Sequence, residues 1–230
     1  DEAMFHHLGS AAAFYIETTL GKNEIVGLSS WSSTLLGMVN SMHRLSKASN
    51  AKVIQILGGM GNPSAKIYAA KITEQFANIV QGEAVYLPAP GLARSQEVRD
   101  ELMSDPYVHA AFELFDKITL AIVGIGSVEP SKLLASSGNI FSTEELQALQ
   151  EVGAVGDICL RFFDVNGVEV NLPLDKRVVS IQLSQLAHAK RIVGVAGGRR
   201  KINAIRGSMV GKHINVLITD HLTATALMNL

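Results

Sequence analysis

Apolar positions along the chain follow two alternating rhythms. Six short runs are almost continuously apolar or β-branched: 24–28, 53–57, 84–87, 120–123, 191–195 and 215–219. Each is read as leading through Gly or Ser into a stretch where apolar residues recur every three or four positions. That spacing predicts helices near 4–20, 34–48, 65–80, 95–103, 107–117, 143–151, 200–211 and 221–230. Strands that do not alternate with polar residues are buried on both faces, and strands separated by helices run parallel. The pattern therefore predicts an α/β domain, a mostly parallel sheet with helices on both faces. Ser142, followed by Thr143, Glu144 and Glu145, reads as a helix cap with acids in the first turn.

The rhythm changes between 156 and 183. ICLRFFD, then VNG, then VEVNL read as a strand, a turn at Asn166-Gly167 and a second strand, a small antiparallel hairpin insertion. Asp157 is expected to start the first of these strands.

Composition narrows the function classes. With 230 residues, 47% hydrophobic and 18% charged, the chain can bury a sizeable core. Its 20 Lys and Arg against 21 Asp and Glu give a net charge of −1, so no domain-wide basic field exists to hold nucleic acid. The single cysteine, Cys159, lies in the apolar run Ile158-Cys159-Leu160 and reads as a buried small hydrophobe. It fits a reducing, cytoplasmic setting. No apolar run approaches the ~20 residues that span a bilayer, and the acidic N-terminal stretch lacks a secretory n-region, so no membrane is expected. A chain that opens on Asp1 rather than Met is expected to be a processed form or part of a longer protein. The histidines are scattered without metal-ligand spacing, and neither metal nor cofactor is expected.

In an open parallel sheet, ligands bind beyond the carboxyl ends of the strands. Four loops there carry glycine or hydroxyl groups: Ser29-Ser30-Trp31-Ser32-Ser33-Thr34, Gly58-Gly59-Met60-Gly61-Asn62, Gly124-Ile125-Gly126-Ser127, and Gly197-Gly198-Arg199-Arg200-Lys201. Glycine admits an anion close to the backbone, hydroxyls donate, and helix N-termini add partial positive charge. Glycine after a strand also often does nothing but turn the chain. Together the four suggest an anionic, hydroxyl-rich small molecule such as a sugar phosphate. The dinucleotide pattern fails, since Glu129 stands where Gly124-Ile125-Gly126 would need its third glycine, and no P-loop or G-x-S-x-G elbow occurs.

Two acids stand out by position. Asp157, beside glycine at a strand, needs a partner and is read as accepting ligand hydroxyls; Asp220 is read either that way or as a helix N-cap. Lys201 can pair with a phosphate or, if desolvated, attack a carbonyl as an amine. Trp31 either stacks on a sugar face or packs against the sheet. A sugar-phosphate isomerase or deaminase is the enzyme alternative, but no complete catalytic set is found and no catalytic residue is assigned.

Taken in order, these loops resemble the C-terminal effector-binding domain of SorC/DeoR-type bacterial regulators of sugar metabolism. The resemblance rests on Gly27 to Leu35, Leu57 to Gly61, Leu87 to Pro90, Val123 to Ser127, Gly153 to Ile158, Arg161 to Asp164, Val195 to Gly198 and Ile214 to Asp220. It spans essentially the whole chain, 1–230. It implies a Rossmann-like fold similar to sugar-phosphate isomerases and glucosamine-phosphate deaminases. It also implies a phosphorylated-sugar effector, assembly into dimers or tetramers, and operator DNA bound only through an N-terminal helix-turn-helix domain not in this chain. By the same resemblance the ligand would meet Ser30, Trp31, Ser33, Thr34, Gly58, Gly59, Met60, Gly61, Gly124, Ile125, Gly126, Ser127, Asp157 and Lys201; Gly198 and Asp220 join the candidates from their positions alone. One departure is Tyr68-Ala69-Ala70, where many members carry Gln or Asn. A mean hydropathy of +0.23 is consistent with an apolar face for self-association.

Overall fold

A computed structural model describes residues 2–45 and 50–230, with the main chain alone at Glu2 and at 63–68. The strands are β1 (Ile25–Leu28), β2 (Lys52–Gln55), β3 (Glu83–Val85), β4 (Leu120–Gly124), β5 (Gly126–Ser127), β6 (Ala154–Ile158), β7 (Arg161–Asp164), β8 (Arg191–Val195) and β9 (Val216–Ile218). The helices are α1 (Glu2–Thr19), α2 (Ser33–Ser41), α3 (Pro63–Ile79), α4 (Gln96–Ser104), α5 (Pro106–Phe112), α6 (Lys132–Ser137), α7 (Thr143–Glu151), α8 (Leu183–Leu186), α9 (Ile202–Val210) and α10 (His221–Met228).

Six strands form one sheet in the order β3-β2-β1-β4-β8-β9. Every pairing in it is parallel. Each of the six predicted apolar runs overlaps one of these strands. Alternate residues serve opposite faces. Val26, Leu28, Leu120, Ile122, Val193 and Val195 pack with Ile16, Leu35, Met38, Ile72 and Phe76 from α1, α2 and α3. Ile54, Ala121, Val123 and Ile192 face the other way, against Val108 of α5, Phe162 and Phe163 of β7, and Ala204 and Ile205 of α9. Both faces are dry, which accounts for the absence of polar alternation. Burying one side chain the size of Phe76 or Phe163 contributes about 1.5–3 kcal/mol. On the first face α1 crosses α2 so closely that a Cβ on Gly9 would stand 2.6 Å from the Gly37 carbonyl carbon.

The antiparallel excursion exists, as a three-stranded sheet in the order β5-β6-β7, but it is cut differently from the pattern. ICLRFFD is not one strand: the chain reverses at Cys159 and Leu160, both with positive φ (54° and 64°). Asp157 therefore lies near the end of β6, not at its start, and its Oδ2 accepts the Leu160 amide at 2.9 Å. That bond holds a reversal that neither side chain favours. The Asn166-Gly167 turn is real, with Gly167 at φ 74°. The returning segment makes only a bridge, Phe163 to Glu169, rather than a second strand.

The predicted helix 34–48 ends at Ser41 among the described residues, and 46–49 lies outside them. The region 107–117 holds α5 followed by a turn of 3-10 helix at Phe115–Lys117. Ser142 caps α7 as expected, its hydroxyl accepting from the Glu145 amide while the Glu145 carboxylate accepts from the Ser142 amide.

Candidate functional site

In this sheet the order reverses between β1 and β4: β1 connects outward through α2 to β2, while β4 leads toward β8. The crevice above that junction is where open α/β sheets bind ligands. The loops after β1, β4 and β8 meet there. Gly124 is packed so closely on the Ser32 side chain that an added Cβ would lie 3.1 Å from Oγ.

The centre of the site is Asp157. It is 9% exposed, and its strand pairs with β5 so that Gly126 lies opposite it. A Cβ on Gly126 would stand 1.9 Å from the Asp157 carboxylate, so only glycine admits the acid at this place. Burial pushes the Asp157 carboxyl up to about 6, partly opposed by the Leu160 amide and by the Lys201 charge. Lys201 closes the other side. Its Nζ donates to the Ile125 carbonyl at 2.7 Å. Burial holds the amine below the usual lysine range, while Asp157 pulls it back up. A part-buried cation and a buried anion are thus held beside backbone polar groups, an arrangement costly to build for stability alone.

Lys201 is placed by the turn before it. Gly198 sits at φ 96°, ψ 149°, a conformation open essentially to glycine, and the Lys201 amide donates to its carbonyl at 2.9 Å. The Gly198 amide in turn donates to Asp220 Oδ2 at 2.9 Å and to the Thr223 hydroxyl at 2.8 Å. Asp220 also caps α10 through the Thr223 amide. Burial raises its carboxyl, but the Thr223 hydroxyl and amide and the Gly198 amide outweigh it and hold the group below its ordinary value. Of the two sequence readings of Asp220, the cap is therefore present, and the acid fastens the Lys201 turn. Arg200 pairs with Glu129 at 2.9 Å, both well exposed.

The remaining predicted residues surround this pair or support it from one side. Ser30 is buried and donates to the Leu57 carbonyl at 2.9 Å. Trp31 is buried and donates from Nε1 to the Gly58 carbonyl at 2.8 Å, so it packs and fixes the β2 loop. Ser33 opens α2 with its side chain exposed, and Thr34 is buried behind it. Ser127 pairs with Gly156 across the small sheet, and its hydroxyl donates to the Glu129 carbonyl.

In the loop after β2, the amides of Gly58, Gly59 and Met60 donate to Val179, Leu87 and Ala89 carbonyls. Those amides hold the loop in place rather than facing a ligand, and Met60 itself is exposed. Beyond the loop, the side chain of Tyr68 lies outside the described residues, while Ala69 is buried.

The buried polar residues that escaped the sequence reading include Gln55, Arg161 and Asn139. Gln55 sits under Gly59 and bridges the Ala69 carbonyl and the Leu87 amide. A glutamine inside an apolar strand was the available signal. Arg161 is 3% exposed and donates to four carbonyls, those of Asp175, Val178, Ser180 and Ile181. Asn139 bridges the Met60 carbonyl and the Leu92 amide, and nothing in its sequence context marks it. Cys159, 3% exposed, has its thiol pushed up to about 12 by burial, which bears out its reading as inert packing. Among the described residues no cluster of metal-ligating side chains occurs, and no helix is long and apolar enough to cross a membrane.

Known proteins resemble this chain along its whole length. The model of the sugar-binding domain family, Sugar-bind, matches residues 1–229. The deoxyribonucleoside regulator of Bacillus subtilis is 33% identical over 224 residues, covering 97% of this chain and 70% of that protein. The crystal structure of the full-length sorbitol operon regulator SorC from Klebsiella pneumoniae superposes with a TM-score of 0.89 at 25% identity, over 99% of this chain and 72% of that one. The sugar-binding domain of the transcriptional regulator DeoR from Pseudomonas syringae pv. tomato is 38% identical, with a TM-score of 0.75, covering 99% and 86%.

Proposed function

The chain belongs to the family of sugar-binding domains found in SorC/DeoR-type transcriptional regulators, and from that premise we propose that it senses a phosphorylated sugar at Asp157 and Lys201. The observation that carries the reading is buried Asp157 electrostatically coupled to part-buried Lys201 near the switch point of the sheet. Asp157, once ionised, is an acceptor for sugar hydroxyls. Lys201, held at the start of α9, offers a cation beside the first amides of a helical turn, a setting suited to a phosphate ester. Ser33, Gly124, Gly126, Ser127 and Gly198 would frame the ligand; Trp31, Ser30, Gly58, Gly59, Met60, Gly61, Thr34, Ile125 and Asp220 would shape or brace the frame.

Binding is the purpose of this site rather than conversion. Asp157 is committed to the Leu160 amide and Lys201 to the Ile125 carbonyl. Such a pair recognises a bound metabolite well, but no second acid or base has been assigned to complete a proton-transfer set. In the whole regulator the domain would pass occupancy to operator DNA through an N-terminal helix-turn-helix domain, by ligand preference for one arrangement of two or four subunits in the cytoplasm.

A thermal-shift screen of sugar phosphates against their unphosphorylated parents, with product analysis on every hit, tests this reading. Stabilisation by a phosphate ester without product is expected. Turnover at an enzyme-like rate, or stabilisation by no member of the class, contradicts it.

A further inference from the structure

Asp157 is 9% exposed and lines a cavity too small for a sugar phosphate. The carboxylate faces a cavity of about 10 Å³, space for about one water molecule. A small-molecule pocket occupies roughly 300 Å³ or more. Most of its roof is one segment, Val128 to Phe141, which contributes Val128, Pro130, Leu134, Asn139, Ile140 and Phe141, with Leu146 of α7 beside it. Its floor is Asp157, Leu160 and Phe162.

The roof is built unlike the rest of the domain. It carries a single short helix, α6, whose Lys132, Ala135 and Ser136 are exposed. It leaves that helix through Gly138 at φ 81°, a position with nothing within 4 Å of an added Cβ. Among the described residues its hydrogen bonds and ion pairs to the body gather at four points, the first being the Glu129 carbonyl, which accepts the Ser127 hydroxyl at 3.1 Å. Glu129 pairs with Arg200 in solvent. The Ser137 carbonyl accepts the Asn62 amide at 2.8 Å. Asn139, 2% exposed, donates from Nδ2 to the Met60 carbonyl and accepts the Leu92 amide at Oδ1, each at 3.1 Å. Only the last of these is a buried side chain holding two separate loops at once. The apolar contact beneath, Phe141 against Phe162 with ring centroids 5.6 Å apart, can part without breaking a strand pairing.

We infer that Val128 to Phe141 is a lid over the Asp157 pocket and that Asn139 is its latch. Closing it ties the ligand pocket to the loops after β2 and β3. A bound sugar would hold the lid away from its closed position and so release Met60 and Leu92 from Asn139. The inference rests on the sugar-binding reading for its purpose. Its geometry is tested without any ligand.

Two measurements on the 230-residue chain serve. Hydrogen exchange should find the amides of 133–141 exchanging at least tenfold faster than those of Leu120–Gly124. In a Cys159→Ser, Leu160→Cys chain, whose only thiol lies on the cavity floor, iodoacetamide should label faster than global unfolding permits. Asn139→Ala should raise both rates about tenfold, the population change expected when a pair of hydrogen bonds favouring the closed state is lost. Asn139→Asp, which keeps the acceptor for Leu92 but not the donor to Met60, should fall between.

A segment that exchanges as slowly as Leu120–Gly124 overturns the lid. So does a segment that exchanges quickly over a thiol that stays unreactive, since its motion then does not open the pocket. Rates unchanged in Asn139→Ala overturn the latch. Because the wild-type exchange needs no substitution, a variant that fails to fold leaves the lid testable. Failure of every sugar phosphate to bind would sink the functional reading while these ligand-free rates stand by themselves.

Discussion

Asp157 shows how one residue's surroundings set its stability contribution and, on the proposed reading, its part in recognition. Its folded carboxyl titrates at about 6 against an ordinary value of 3.8, because burial disfavours the charge. A carboxyl raised on folding binds its proton more tightly in the native than in the unfolded chain. Its contribution to stability is therefore complete below about pH 4 and declines as pH rises through 6. Replacing the ionisable group removes that decline. From pH 4 to pH 7.5 the stability of Asp157→Asn relative to the wild type should move in the variant's favour by on the order of 2 kcal/mol. Denaturant unfolding at the two pH values measures it, and a difference that does not change with pH contradicts the burial account. Asp157 and Lys201 were legible in the sequence because a charge set among glycines and apolar residues needs a partner. Asn139 and Arg161 were not, because their partners are carbonyls and amides of distant loops. A backbone group has no identity in a sequence.

Elements were legible wherever packing on two faces wrote an unbroken apolar run, which is why all six strands of the main sheet overlap predicted runs. The hairpin was misdivided for a physical reason. Its reversal uses Cys159 and Leu160, residues with no turn propensity, held by the Asp157 carboxylate three positions away. Turn chemistry was instead visible at Asn166-Gly167, which does turn but leads to a single bridge. Beyond β8, the path into α9 depends on Gly198, whose φ of 96° excludes ordinary side chains. Gly198→Ala should cost about 1–3 kcal/mol of stability, read by chemical denaturation, and should weaken sugar-phosphate binding by moving Lys201. Unchanged stability would mean that the turn relaxes freely and that Lys201 is not held by it.

Across the whole molecule, the order of the strands is what the sequence did not contain. Local pattern predicts parallel strands joined by helices, but not that β1 and β4 lie side by side. It is that adjacency which gathers three of the four loops and sets the small sheet's Asp157 beside the Lys201 turn. The fourth loop, after β2, faces inward with its amides committed to Val179, Leu87 and Ala89, and serves as scaffold through Trp31 and Asn139. On the proposed reading, ionisation of Asp157 also links recognition to pH. If the charged form accepts the sugar hydroxyls, affinity should fall about tenfold for each unit that pH drops below about 6.

The most direct measurement is calorimetric titration of the chain and of Lys201→Ala, at pH 7.5, with the sugar phosphates found by screening and with the same sugars lacking phosphate. The predicted result is binding of a phosphate ester by the wild type, weakened at least tenfold either by removing the phosphate or by Lys201→Ala. Equal affinity for phosphorylated and unphosphorylated sugar, unaltered by loss of Lys201, would contradict the assignment of this site.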